Sequence, residues 1–273
     1  MSGLSWGRRL LMCPPEHFEV LYEINPWMHR EVAVDPDRAR TQWDALVAVL
    51  HEAGADVERI APVAGLPDMV FTANGGVVGD GRFVESRFRH PERSGESPLV
   101  SAWFRARDYE VVELPDGVRL EGAGDALPFG GRMLAGYRSR SDFAAHATLS
   151  AAFGVEVLPI ELVDPRYYHL DLTFCPLDDR RALVVPDAWD RYGREVAARL
   201  VPEPVVLEPD EAAAFCANSV LVGPTLVMPA CSARLGRVLE AFGLDVVVVD
   251  LGEFLKAGGG VRCLTLALDV ALG

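Results

Sequence analysis

Apolar residues in this 273-residue chain follow two rhythms. In one, short runs rich in Val, Leu and Ile are bounded by Gly, Pro and Asp, the pattern of buried strands. In the other, apolar positions recur every three or four residues, the pattern of a helix with one buried face. The clearest helix is expected from about Pro36 to Ala53. Asp35 is placed to cap it, Pro36 suits the first helical position and Gly54 stands just past its end. Trp43, Leu46, Val47 and Leu50 then face the core. Further helices are expected over Pro98–Arg107, Ser141–Phe153, Asp190–Leu200, Glu211–Ala217 and Cys231–Phe242. Strands are expected at Leu10–Cys13, Met69–Ala73, Phe83–Glu85, Glu110–Glu113, Arg132–Ala135, Glu156–Leu158, Leu170–Cys175, Ala182–Val185, Ser219–Val222, Thr225–Met228, Asp245–Val249 and Cys263–Ala267.

The order strand, strand, helix, strand recurs roughly five times, which predicts an α/β protein with helices outside the strands. Joints as short as Val222-Gly223-Pro224-Thr225 make antiparallel hairpins, so mixed sheets are expected. A doubly wound parallel sheet is the competing architecture. No exact repeat is visible. No Ser/Gly-rich linker or charge block divides the chain, so residues 1–273 read as one continuous domain.

Composition narrows the function. Hydrophobic residues make up 50% and charged residues 24%, as in a globular enzyme. The 26 basic and 40 acidic residues leave a net charge of −14, which argues against nucleic acid, because phosphate neutralisation needs a basic face. An acidic cleft would instead suit a small cationic substrate. No apolar run approaches the roughly 18 residues of a membrane span, and the opening MSGLSWGRRLLMCPPEHF has too short an apolar stretch for a signal peptide. Five widely spaced cysteines without a CxxC fit reduced thiols in the cytoplasm rather than a disulfide or zinc framework. A monomer and a homo-oligomer both remain open.

Four segments could carry chemistry. In Glu121-Gly-Ala-Gly-Asp125-Ala the third glycine of a dinucleotide loop is replaced by Leu127, so nucleotide binding is rejected. The small residues suit either a tight turn or a close backbone approach to a ligand, with both acids pointing inward. In Tyr167-Tyr-His169-Leu-Asp171-Leu-Thr-Phe-Cys175, His169 and Asp171 are two apart at an expected strand start and so share a face. They form a structural polar pair or a proton-handling site. In Lys256-Ala-Gly-Gly-Gly-Val-Arg262-Cys263 a glycine run leads to a cysteine beside a cation, which could favour the thiolate. Cys175 and Cys216 read as inert packing. In Asp68-Met-Val-Phe-Thr-Ala-Asn74-Gly-Gly an acid and an amide bracket an apolar run. Joined, the four segments suggest a cation pocket.

Taken in order, PDMVFTANGG, EGAGDA, YYHLDLTFCPL and GGGVRCLTL resemble the guanidino-group-modifying (amidinotransferase, or pentein) superfamily. MCPPEHFEVLYEINPWM and EFLKAGGGVRCLTL are similar to its bacterial arginine dihydrolase branch, near dimethylarginine dimethylaminohydrolase. The resemblance runs over essentially the whole chain and implies a fivefold pseudosymmetric α/β propeller of ββαβ units. It implies Cys263 as nucleophile, His169 as general acid/base, Glu121 as its partner and Asp171 as a guanidinium-binding carboxylate. Asn74 stands where deiminases and dimethylarginine hydrolases of the superfamily carry aspartate. Asn25 also matches the dihydrolase branch, Asp68 is an acid of the pocket, and Arg87 and Arg138 are expected to clamp a substrate carboxylate. No metal or other cofactor is implied. Two-domain relatives continue into an ornithine-processing domain, which a chain ending at Gly273 is expected to lack. The expected reaction is hydrolysis of L-arginine to ornithine, ammonia and carbon dioxide. The alternatives are dimethylarginine or arginine hydrolysis ending at citrulline, amidino transfer, and a non-catalytic binding protein.

Overall fold

The computed structural model describes residues 7–272, so the first six residues of the opening segment and Gly273 lie outside the described residues. The strands form five separate three-stranded sheets. Each has a middle strand paired antiparallel on one side and parallel on the other. The middle strands are Arg9–Met12, Arg82–Glu85, Arg132–Tyr137, Arg181–Val184 and Thr225–Met228. Their antiparallel partners are Leu266–Ala267, Gly76–Gly79, Ala126–Phe129, Phe174–Pro176 and Val220–Val222. Their parallel partners are Asp56–Arg59, Glu110–Val112, Val157–Glu161, Glu203–Val206 and Asp245–Val248. Mixed sheets were the expectation, and five small ones replace the single parallel sheet of the alternative.

A helix bridges each middle strand to its parallel partner, as the long reach of a parallel connection requires. The five are Pro36–Glu52, Glu96–Arg105, Ala145–Phe153, Arg191–Leu200 and Ala233–Ala241. In the first, the Asp35 side chain accepts from the backbone N–H groups of Asp37 and Arg38, and Trp43, Leu46, Val47 and Leu50 are buried. One unit is completed from both ends of the chain, because Leu266–Ala267 pairs with Arg9–Met12.

Three expected strands are corrected. Residues 67–75 form two 3-10 turns, Pro67–Val70 and Thr72–Gly75. Leu170–Leu172 is a third, leaving only Phe174–Pro176 as strand. Within residues 263–267 only Leu266–Ala267 is strand. These segments are buried on all sides, so their apolar runs carry no alternation to tell turn from strand. The helix expected over Glu211–Ala217 is shorter and earlier, Pro209–Ala213, closed by reciprocal Glu208 and Glu211 caps.

Candidate active site

The turn before each antiparallel partner strand is where the five units meet chemically. Those turns carry Asp68 and Asn74, Glu121, His169 and Asp171, Asn218, and Cys263, all of them buried. Contacts across them are direct. The Cys263 sulfur lies 3.4 Å from Asp171 Oδ2 and accepts from Asn218 Nδ2 at 3.1 Å. Ala73 N–H donates to the Cys263 carbonyl at 3.2 Å.

Glu121 is completely buried and its oxygens are fully engaged. Oε2 accepts from Arg140 Nη1 at 2.9 Å and meets His169 Nε2 at 2.8 Å, while Oε1 accepts from the Arg89 backbone N–H at 3.1 Å. Burial alone would raise this carboxyl, but Arg140 and His169 outweigh it and hold it well below the usual carboxylate range. An ionised Glu121 on Nε2 fixes the tautomer of His169, with Nε2–H donating and Nδ1 left without a partner. The second acid of that segment, Asp125, also points inward. It accepts from Ser141 Oγ at 2.6 Å and from Leu170 N–H at 3.0 Å, so it braces the turn that presents His169.

Asp171 and Cys263 are pushed the other way. Burial raises the Asp171 carboxyl to about 7 against the pull of Arg262, Cys263 and Asn218. Burial and then Asp171 push the Cys263 thiol well above its usual value. Arg262 Nε donates to the Ser219 carbonyl at 3.0 Å, and its guanidinium also meets the Cys175 thiol. Its charge lowers both Cys175 and Asp171.

Three buried polar atoms here have no hydrogen-bond partner, Asn74 Nδ2, His169 Nδ1 and Asp171 Oδ1, while Asp68 faces the buried Tyr22 hydroxyl. An orphaned buried polar atom costs about 1–3 kcal/mol, so three among residues of adjoining turns call for a ligand rather than for packing. Two of them flank Gly124. A side chain at that position would stand 2.5 Å from Asn74 Nδ2 and 3.2 Å from His169 Nδ1, so glycine keeps the space open. The acceptors on Asp68 and Asp171 suit a compact planar cation, and the Asn74 donor suits an oxygen beside it.

Asn25 reaches the edge of this group. Its Nδ2 donates to the Ala257 carbonyl at 3.0 Å and its Oδ1 accepts from Trp27 N–H at 2.9 Å, fastening the Pro14–Ala33 segment to the glycine run. Arg87 and Arg138 are not brought to the cluster. The Arg87 guanidinium donates to the Leu114, Pro115 and Val118 carbonyls. Arg138 is exposed and pairs with Glu161 at 2.6 Å.

Three residues escaped the sequence reading. Arg93 and Arg140 are buried and touch the site: Arg93 Nη1 donates to Asn74 Oδ1 at 2.8 Å and its fork grips Glu96 at 2.8 Å twice, while Arg140 holds Glu121. A lone arginine in a loop looks like surface, and nothing local marked these two. Asn218 did leave a signal. Phe-Cys-Ala-Asn-Ser-Val-Leu-Val-Gly at 215–223 echoes Phe-Thr-Ala-Asn-Gly-Gly-Val-Val-Gly at 71–79, an inexact repeat that an identity search passes over.

Among the described residues the one grouping able to gather metal-ligand atoms, Glu23, His29 and Glu31, is exposed and shares no residue with this site. No helix there is long and apolar enough to cross a membrane. All five cysteines are free.

The α/β frame of five mixed sheets thus carries buried carboxylates, an imidazole and a thiol on the turns before its antiparallel strands. The chain belongs to the N,N dimethylarginine dimethylhydrolase family, whose model matches residues 23–270. It is 41% identical to the N(G),N(G)-dimethylarginine dimethylaminohydrolase of Mycobacterium tuberculosis, over 96% of this chain and 86% of that one. It is 44% identical to the bifunctional arginine dihydrolase/ornithine cyclodeaminase of Nostoc, over 94% of this chain. That match spans only 37% of the Nostoc protein. Among solved structures it resembles the N-terminal domain of a cyanobacterial arginine dihydrolase of the ornithine–ammonia cycle, a cysteine-to-serine variant bound to its substrate. The TM-score is 0.93 at 40% identity, covering 97% of this chain and 99% of that one.

Proposed function

We propose that the chain is an arginine dihydrolase, converting L-arginine and two waters to ornithine, two ammonia and carbon dioxide at a single catalytic domain. In this reading the five units close around a pseudo-fivefold axis, with the site at its centre. The observation that carries it is the set of three partnerless atoms on Asn74, His169 and Asp171, with the Asp171 carboxylate 3.4 Å from the Cys263 sulfur. The substrate-bound cyanobacterial dihydrolase domain, alike over nearly the full length of both chains, supports it.

Asp171 and Asp68 grip the guanidinium, fix its plane and polarise its central carbon. The arriving cation also favours the ionised forms of Asp171 and Cys263, which burial otherwise opposes. Cys263 adds to the carbon as thiolate, and His169, protonated on Nδ1, gives its proton to the departing terminal nitrogen as the first ammonia leaves. His169 then takes a proton from water as that water adds to the sulfur-bound carbon. The tetrahedral adduct can expel the thiolate, which gives citrulline, or the second terminal nitrogen. Loss of the second ammonia leaves an S-carbamoyl enzyme, which the second water cleaves to free thiol and an N-carboxylated ornithine that sheds carbon dioxide. Asn74 sets this choice. Its Nδ2 donates to the new oxygen and holds it, where a carboxylate would repel it. Asn25 anchors the segment over the site. Arg87 and Arg138 would have to leave their present partners to hold the substrate carboxylate, whereas Arg93 and Arg140 already touch site residues.

The test is a mass-spectrometric survey of products from arginine, methylarginines, agmatine and guanidino acids. L-arginine consumed with ornithine as end product supports the reading, and citrulline as the stable end product contradicts it. Preferential loss of dimethylamine from dimethylarginine would favour the activity named for the mycobacterial relative.

A further inference from the structure

Asn218 is buried, and all of its amide is spoken for. Oδ1 accepts from the Gly260 N–H at 3.0 Å and from the Cys263 N–H at 3.2 Å. Nδ2 donates to the Asp171 carbonyl at 3.3 Å and to the Cys263 sulfur at 3.1 Å. These partners settle which end of the amide faces which way. Turned over, an NH2 would face two N–H donors and an oxygen would face a carbonyl, so three contacts would become repulsive. The sulfur therefore meets the donor end of the amide. Gly260 makes the approach possible, since a side chain there would stand 2.9 Å from Asn218 Oδ1.

The sulfur sits between unlike neighbours. Asp171 Oδ2, 3.4 Å away, can only accept while ionised and so favours the protonated thiol. Asn218 can only donate to it and so favours the anion. We propose that Asn218 is a further catalytic residue, whose Nδ2–H holds the Cys263 sulfur as thiolate and aims it. While Asp171 is unoccupied, the thiol proton has an acceptor there. A cation on Asp171 takes that acceptor away, the proton leaves to solvent, and the donor that remains is Asn218. Loss of one hydrogen bond to an ionised group should move the ionisation by about one to two pH units.

This rests on Cys263 being the nucleophile, but its readout needs no substrate. Carbamidomethylation of the Cys263 peptide by iodoacetamide, followed by mass spectrometry across pH, reports the thiolate directly. Asn218→Ala should move the midpoint up by about one unit. Asn218→Asp keeps the acceptor for Gly260 and Cys263 N–H but turns the donor into a carboxylate, and should move it up further. On L-arginine, Asn218→Asp should lose about a hundredfold in kcat with KM changed by less than about threefold. If Asn218→Ala does not fold, Asn218→Asp decides alone. A folded variant with the wild-type alkylation midpoint overturns the proposal, whatever its turnover. Full turnover by Cys263→Ser would instead bring down the nucleophile assignment, and the role of Asn218 with it.

Discussion

The two copies of the Phe-X-Ala-Asn motif, at 71–74 and 215–218, start from nearly the same sequence, and each leads into an antiparallel hairpin. In both, the amide oxygen is pinned by donors that fix the orientation, and in both the nitrogen is turned inward. The pinning differs. Asn218 is held by two backbone N–H groups of the adjoining glycine run and cysteine, so its nitrogen is consumed internally on Asp171 and the sulfur. Asn74 is held by the side chain of Arg93, itself forked onto Glu96, and its nitrogen has no partner. One amide is finished by the protein and the other waits for a ligand. A repeated turn can thus supply the same group twice and assign it two jobs by what backs it.

The sharpest way to break that comparison is to make the same change at both sites. Asn74→Asp should leave arginine consumption within about tenfold of wild type but switch the end product almost wholly to citrulline, as quantified by mass spectrometry. Asn218→Asp should slow consumption and keep ornithine as the product. A product switch in the second, or none in the first, would collapse the distinction.

A smaller effect comes from pH. Burial raises Asp171 to about 7, and only its ionised form grips a guanidinium. As pH falls below about 7 the carboxyl is protonated, so kcat/KM should drop about tenfold per unit. The midpoint should move to higher pH in Asn218→Asp, which sets a second carboxylate beside Asp171, as the rate-against-pH profile of each enzyme will report.

The smallest effect tests the backing of Asn74. Burial pushes the Glu96 carboxyl to about 7 even against Arg93, so this pair is poised rather than overstabilised. Glu96→Gln loosens Arg93 and lets the Asn74 amide turn. Citrulline should appear as a minor product, about a tenth of the total by the scale of one hydrogen bond. A stability loss of up to about 3–5 kcal/mol from the half-broken buried pair should appear as a lower melting temperature. Lower stability with ornithine still the sole product would show that Arg93 does not orient the amide.

Much of this was legible in the chain. The helix from Pro36 could be read with its cap because a 3.6-residue rhythm, Asp35 and Gly54 agreed. The strand–strand–helix–strand order was readable for the same reason. The four chemical segments were visible because polar residues in apolar surroundings stand out. Their local shape was not. Segments 67–75 and 169–173 are buried on all sides, and their 3-10 turns look like strands to any rule based on alternation. The arginines lie elsewhere than expected for a related reason. Arg87 and Arg138 were drawn from motif likeness, yet one is tied up by three carbonyls and the other lies at the surface. Arg93 and Arg140 draw their importance from partners far along the chain, Asn74 and Glu121, which no local pattern encodes.

The attack of the Cys263 sulfur on a guanidinium carbon can be caught directly. The enzyme would be acid-quenched during turnover of L-arginine, and the Cys263 peptide weighed. The account predicts an adduct on Cys263 with the mass of arginine less one ammonia, absent from Cys263→Ser. Turnover of arginine with Cys263 never modified, or with the adduct on another residue, would contradict it.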